Sequence, residues 1–205
     1  MQLIETDADL AAGFAALIAI EPAFGRIAGP LPLRRRADGF GALLDAIVGQ
    51  QVSVASASAI RGRLEAAGYA APEAVSAASD EDLRGCGLSR QKIKYLKALA
   101  DAGIDFEALR SAPDDEVYET LVAVLGIGKW TAEMYLLFAL GRIDVFAPDD
   151  MALQEGAKML FDLEERPKPK PFREMAEAWA PWRSVAARAL WAYYGSMKMR
   201  QGETL

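Results

Sequence analysis

The 205-residue chain carries 29 Asp and Glu against 23 Lys and Arg, contains no histidine and one cysteine, and is 52% hydrophobic. These counts exclude Ser-His-Asp triads, Cys-His pairs, histidine-ligated zinc, an intrachain disulfide and a four-cysteine iron–sulfur cluster. They fit a globular chain with one substantial core or two small lobes, and a net charge of −6 argues against a surface that coats nucleic acid everywhere. Residues 7–20, rich in alanine and leucine, predict a helix that "EPAFGRIAGP" closes through proline and glycine. From Phe40 to about Glu65, apolar residues recur every three or four positions on both sides of a polar interruption, Gly49-Gln50-Gln51. A short helix around 80–85 leads into "CGLSRQKIKYLKALADAG", where Ile93, Leu96 and Leu99 fall on one face and the lysines on another.

Acidic residues open the next predicted helix, 114–124, and favour its N-terminus. After "LGIGKW", the segment "TAEMYLLFALGR" is apolar nearly all round and should be buried. A turn and a further helix occupy "IDVFAPDDMALQEGAKMLF". The polar, proline-rich "EERPKPKP" reads as a connector, and one C-terminal helix is expected to carry "EMAEAWAPWRSVAARALWAYYG". No strand-like alternation of useful length occurs, so the fold class is all-α. Cys86 is read as a small buried filler. There is no signal-like leader and no apolar run long enough to span a bilayer, so a soluble, cytoplasmic protein without membrane contact is expected.

The stretch "LGIGKWTAEM", residues 125–134, joins two of these helices through glycines on either side of one isoleucine. Gly126 and Gly128 can adopt positive φ and leave the backbone uncovered, while Ile127 can tuck between the helices. The amides at the second helix's N-terminus then point outward beside its positive dipole end, with Lys129 adjacent. A phosphodiester fits such a site without base contacts. An ordinary αα-hairpin turn would use the same glycines. "GCGLSRQKIKYL" also places two glycines before a helix and is a degenerate echo of the motif. Arg34-Arg35-Arg36, the set Arg90, Lys92, Lys94 and Lys97, and the set Lys129, Arg183 and Arg188 are candidate cationic patches for phosphates.

"LGIGKWTAEM" followed by "VFAPDDMAL" resembles the helix-hairpin-helix–Gly/Pro–Asp superfamily of base-excision DNA glycosylases. "GALLDAIVGQQVSVASA", "GLSRQKIKYLKALA" and "WAPWRSVAARALW" are similar to its 3-methyladenine DNA glycosylase II branch, and the resemblance covers about residues 40–200. It implies that the catalytic carboxylate is Asp150, the second of the Asp149-Asp150 pair. That group would stabilise the oxocarbenium-like charge on the deoxyribose or align a water. An N-cap role for the pair, at a helix beginning near Met151, is compatible. Relatives that also nick the strand have lysine where this chain has Trp130, so the resemblance implies base release without strand cleavage. Trp130 and Trp191 match pocket aromatics able to stack on a flipped cationic base. Gln51 matches the loop that fills the hole left by that base, and Gly126, Gly128, Lys129 and Thr131 match the phosphate-binding hairpin. Trp179 and Trp182 are read as packing residues.

Two departures stand out. Leu125 replaces the family's usual proline before the first glycine, and the helix after Asp150 lacks the basic residue often found there. The reading is an all-α protein with one lobe over 39–145 carrying the hairpin and a second built from 1–38 and 146–205, with a cleft between them. The expected activity is hydrolysis of the N-glycosidic bond of 3-methyladenine, with 7-methylguanine also expected, in duplex DNA containing alkylated bases. No cofactor or metal is expected, and the chain is expected to act as a monomer. A glycosylase for another damaged base and a non-catalytic DNA-binding protein are the alternatives.

Overall fold

Side chains of Thr6, Ser53, Ser79, Ser89, Asp105 and Asp150 accept backbone amides at the heads of six helices in the computed structural model, which describes residues 2–200. Each cap satisfies amides that the first helical turn leaves without an intrahelical acceptor. Twelve α-helices, a 3₁₀ turn at Pro22–Arg26 and a π-helical segment at Tyr135–Ala139 form the regular structure of the described residues, and the all-α expectation holds. The nearest approach to a strand among them is an isolated antiparallel bridge between Leu3 and Arg142.

The chain divides into two compact units. One is Arg36–Ala139; the other joins the residues up to Arg35 with those from Leu140 onward. The first unit holds α2 (Phe40–Gly49), α3 (Val54–Ala66), α4 (Pro72–Ala77), α5 (Asp80–Gly85), α6 (Arg90–Asp101), α7 (Phe106–Ser111), α8 (Asp114–Val122) and α9 (Lys129–Met134). The apolar stripe of α6 buries Ile93, Leu96 and Leu99, and this helix packs on α2, α4 and α5. Leu44, Ile47, Leu64, Val75, Leu83, Val117 and Leu121 complete a core with essentially no solvent access. Each such side chain contributes about 1.5–3 kcal/mol on burial. The short α4 and α7 escape a periodicity reading because six residues span under two turns.

The second unit holds α1 (Asp7–Ile20), α10 (Met151–Leu160), α11 (Pro169–Glu177) and α12 (Arg183–Arg200). Trp179 is its hub, stacked on Phe161 at 5.7 Å between centroids and edge-on to Phe24, Phe146 and Phe172. The packing role expected for Trp179 is therefore met, and Trp182 lies against Gly13 of α1. Two expectations are corrected. The single C-terminal helix is in fact α11 and α12, because Pro181 has no N–H to continue a helix and the chain breaks before Arg183. The connector is also shorter than expected, since Pro169 opens α11, where a missing N–H costs nothing. Cys86 is buried at the C-cap of α5, as a filler should be.

Candidate active site

Between α8 and α9 the backbone turns through Gly126 at φ 96°, a left-handed conformation that favours glycine. A Cβ there would also stand 2.3 Å from the Tyr95 ring. Ile127 is 4% exposed and holds the turn to the core, as expected. Gly128 departs from expectation. Its φ is −88°, extended backbone that any residue adopts, and it serves as the N-cap of α9 without any side-chain cap. A Cβ at Gly128 would meet open space. What glycine supplies there is the lack of a side chain over the first amides of α9, rather than an unusual backbone. Lys129 and Trp130 are exposed beside those amides. Thr131 is only 9% exposed, and its backbone N–H lies in the first turn.

Sequence reasoning assigned no role to Gln50, yet its Nε2 donates to the Gly126 carbonyl at 3.1 Å. The signal was present in the polar Gly49-Gln50-Gln51 break, but its partner lies 76 residues away. Gln51 itself is exposed at φ 56°, strained for a residue with a side chain, and is followed by exposed Val52 and 87%-exposed Val54. Trp130 is 47% exposed and borders a cavity of about 300 Å³, at the small end for ligand pockets. Asp45, Gln50, Thr131, Met134 and Tyr135 also line it.

In the other unit, the segment Asp144–Asp149 leads into α10 with Asp150 as its N-cap. Asp150 Oδ1 accepts the Leu153 amide at 2.9 Å, so the expected capping role is present. The same oxygen accepts the Trp191 indole N–H at 3.1 Å. Gln154 Nε2 donates to the Pro148 carbonyl at 2.7 Å and braces the segment from inside α10. Asp149, by contrast, is exposed.

Several of the candidate cations are engaged within the fold. Lys92 donates to the Val48 carbonyl at 2.7 Å, where burial pushes its amine below the usual lysine range. Lys97 pairs with Asp80, and Arg183 makes a two-point pair with Asp144. Arg188 is buried, donating to the carbonyls of Leu33 and Ser184, and burial beside Arg35 lowers its guanidinium to about 10. Arg34, Arg35, Arg36, Arg90, Lys94 and Lys129 remain exposed.

Residues 44–181 match the sequence profile of the HhH-GPD superfamily base excision DNA repair protein. The chain is 34% identical over 158 residues to DNA-3-methyladenine glycosylase 1 of Schizosaccharomyces pombe, covering 73% of this chain and 69% of that protein. The crystal structure of a DNA-3-methyladenine glycosidase from Bacillus halodurans superposes with a TM-score of 0.83 at 37% identity, over 91% of each chain. An S. pombe 3-methyladenine DNA glycosylase in complex with abasic DNA superposes with a TM-score of 0.69 at 29% identity, again over 91% of each chain. The chain is a member of the HhH-GPD superfamily of base excision DNA repair proteins.

Proposed function

We propose that the protein is a DNA glycosylase that hydrolyses the N-glycosidic bond of 3-methyladenine in duplex DNA. The observation that carries this reading is a carboxylate, Asp150, fixed at a helix head by a backbone amide and an indole N–H in a chain without histidine. Support comes from the relatives named above, which carry that activity in their names. An alkylated purine is already cationic and leaves without a strong general acid, so the positive charge left on the deoxyribose is the main obstacle. One carboxylate near the sugar stabilises that charge or orients the incoming water.

Phosphate binding is assigned to the outward amides of Gly128, Lys129 and Trp130, with the Lys129 charge beside them. Trp130 and Trp191 supply aromatic faces for the flipped base, and the Gln51 loop is the filler of the vacated stack. The position next to Lys129 holds tryptophan, whose indole cannot form a Schiff base, so the reaction ends at an abasic site. The substrate range extends to 7-methylguanine, and the acting species is a monomer on alkylated duplex DNA.

The test is incubation with methylated duplex, identification of the free bases, and a denaturing gel with and without alkali. Free 3-methyladenine with strand breaks only after alkali is expected. Breaks without alkali would refute the monofunctional assignment. Release confined to an oxidised or deaminated base would move the substrate class.

A further inference from the structure

Helix α12 reads the segment 144–150 at three successive points. Arg183 holds Asp144 with Nε at 2.7 Å and Nη2 at 2.8 Å. The Ser184 hydroxyl accepts the Val145 amide at 2.9 Å and donates to its carbonyl at 3.0 Å, replacing the partner that a strand would have supplied. Trp191 then donates to Asp150. Ser184 and Trp191 are two helical turns apart, hence on one face of α12 and about 10 Å apart along its axis. Register set at Ser184 is thereby transmitted to Trp191.

A second constraint sets the spacing between helices. Gly156 of α10 lies under the backbone of α12, where a Cβ would stand 2.7 Å from the Leu190 carbonyl oxygen. Leu190 is the residue before Trp191. The close approach that only glycine permits brings the indole within reach of Asp150 at the head of the same α10.

From this geometry we infer that Trp191 is a positioning residue: its N–H, with the Leu153 amide, pins Oδ1 of Asp150 and so fixes the plane of the carboxylate facing the sugar. A ring that only stacked on the base would need no N–H, and phenylalanine would replace it. Pinning one oxygen with two donors stops rotation about the Cβ–Cγ bond, which preorganises the carboxylate for the charge that develops on the sugar in the transition state rather than for the ground state, whose charge lies on the base. This inference rests on Asp150 being the catalytic carboxylate.

The experiment compares wild type, Trp191→Phe, Asp150→Asn and the double variant. It also includes a protein with benzothienylalanine at position 191, which keeps the fused ring and removes only the N–H. Two readouts are taken: single-turnover release of 3-methyladenine, and affinity for duplexes bearing either a cationic pyrrolidine or a neutral tetrahydrofuran in place of one deoxyribose. Loss of a hydrogen bond to a charged group predicts about a tenfold fall in release and in pyrrolidine affinity for both ring variants. Tetrahydrofuran affinity should stay at the wild-type value, which also reports that the proteins are folded. In the Asp150→Asn background, Trp191→Phe should cost pyrrolidine affinity nothing further, because the coupled partner is gone. Release and pyrrolidine preference within twofold of wild type in the benzothienyl protein would overturn the inference and leave Asp150 untouched. Equal loss on both duplexes would overturn it too, because the neutral one offers no charge for Asp150 to meet. Full release by Asp150→Asn would instead overturn the catalytic reading itself.

Discussion

Two turns in the unit Arg36–Ala139 share one backbone and differ in chemistry. At the α5–α6 turn Gly87 has φ 96° and is followed by buried Leu88; at the α8–α9 turn Gly126 has φ 96° and is followed by buried Ile127. The next residue separates them. Ser89 accepts the Lys92 amide and closes the head of α6 on itself, whereas Gly128 places no side chain over the head of α9. A self-capped helix start has its donors satisfied within the chain, and an uncovered one offers them to an external anion. The register of the sequence echo is therefore shifted by two residues from a glycine-for-glycine match. The glycine matching Gly126 is the second of Gly85 and Gly87, and the match to Gly128 is a serine.

The largest effect should come from Gly126→Ala. It forces alanine into positive φ and drives a methyl into Cβ and Cγ of Tyr95, which are near the Tyr95 backbone and cannot swing away. A loss of about 2–4 kcal/mol in denaturant unfolding is expected, with the hairpin's DNA affinity lost alongside. Gly87→Ala has the same φ penalty, but its nearest obstacle is the tip of Arg63, which can move. It should cost about 1–2 kcal/mol and leave DNA affinity intact. Equal losses would show that side-chain crowding does not separate the turns.

The chemical half of the comparison is sharpened by exchanging caps. Gly128→Ser should let the new hydroxyl take the Thr131 amide, weakening tetrahydrofuran-duplex binding about tenfold and flattening its salt dependence without loss of stability. Unchanged binding would mean that the α9 amides do not hold phosphate. The smallest effect is expected for Ser89→Gly, which opens the α6 head at a cost of only a few tenths of a kcal/mol and should not improve DNA binding. A gain in affinity would show that the first turn is a dormant copy of the second.

How much of this was legible in the sequence differs between local and distant features. Three-and-four spacing marked the long helices, and the glycines and Ile127 marked the hairpin, because those signals lie within a few residues of one another. Asp150 was visible only through resemblance, since two adjacent aspartates before a helix otherwise announce a cap. The Trp191–Asp150 bond, the Gln50 brace and the Tyr95 cover over Gly126 were not legible, each joining positions that only tertiary packing brings together. The π-helical Tyr135–Ala139 was hidden for another reason: a segment buried on all sides shows no apolar period to read. Proline at 181 is a break in the sequence masked by the apolar residues that continue on both sides of it.

The central claim is that Asp150 carries the chemistry without carrying the binding. Single-turnover release of 3-methyladenine from methylated duplex, measured for wild type and Asp150→Asn alongside affinity for a tetrahydrofuran duplex, tests it most directly. A fall of about a thousandfold in release with affinity unchanged is expected. Release that survives the substitution, or affinity that collapses in step with it, would remove Asp150 from the chemistry.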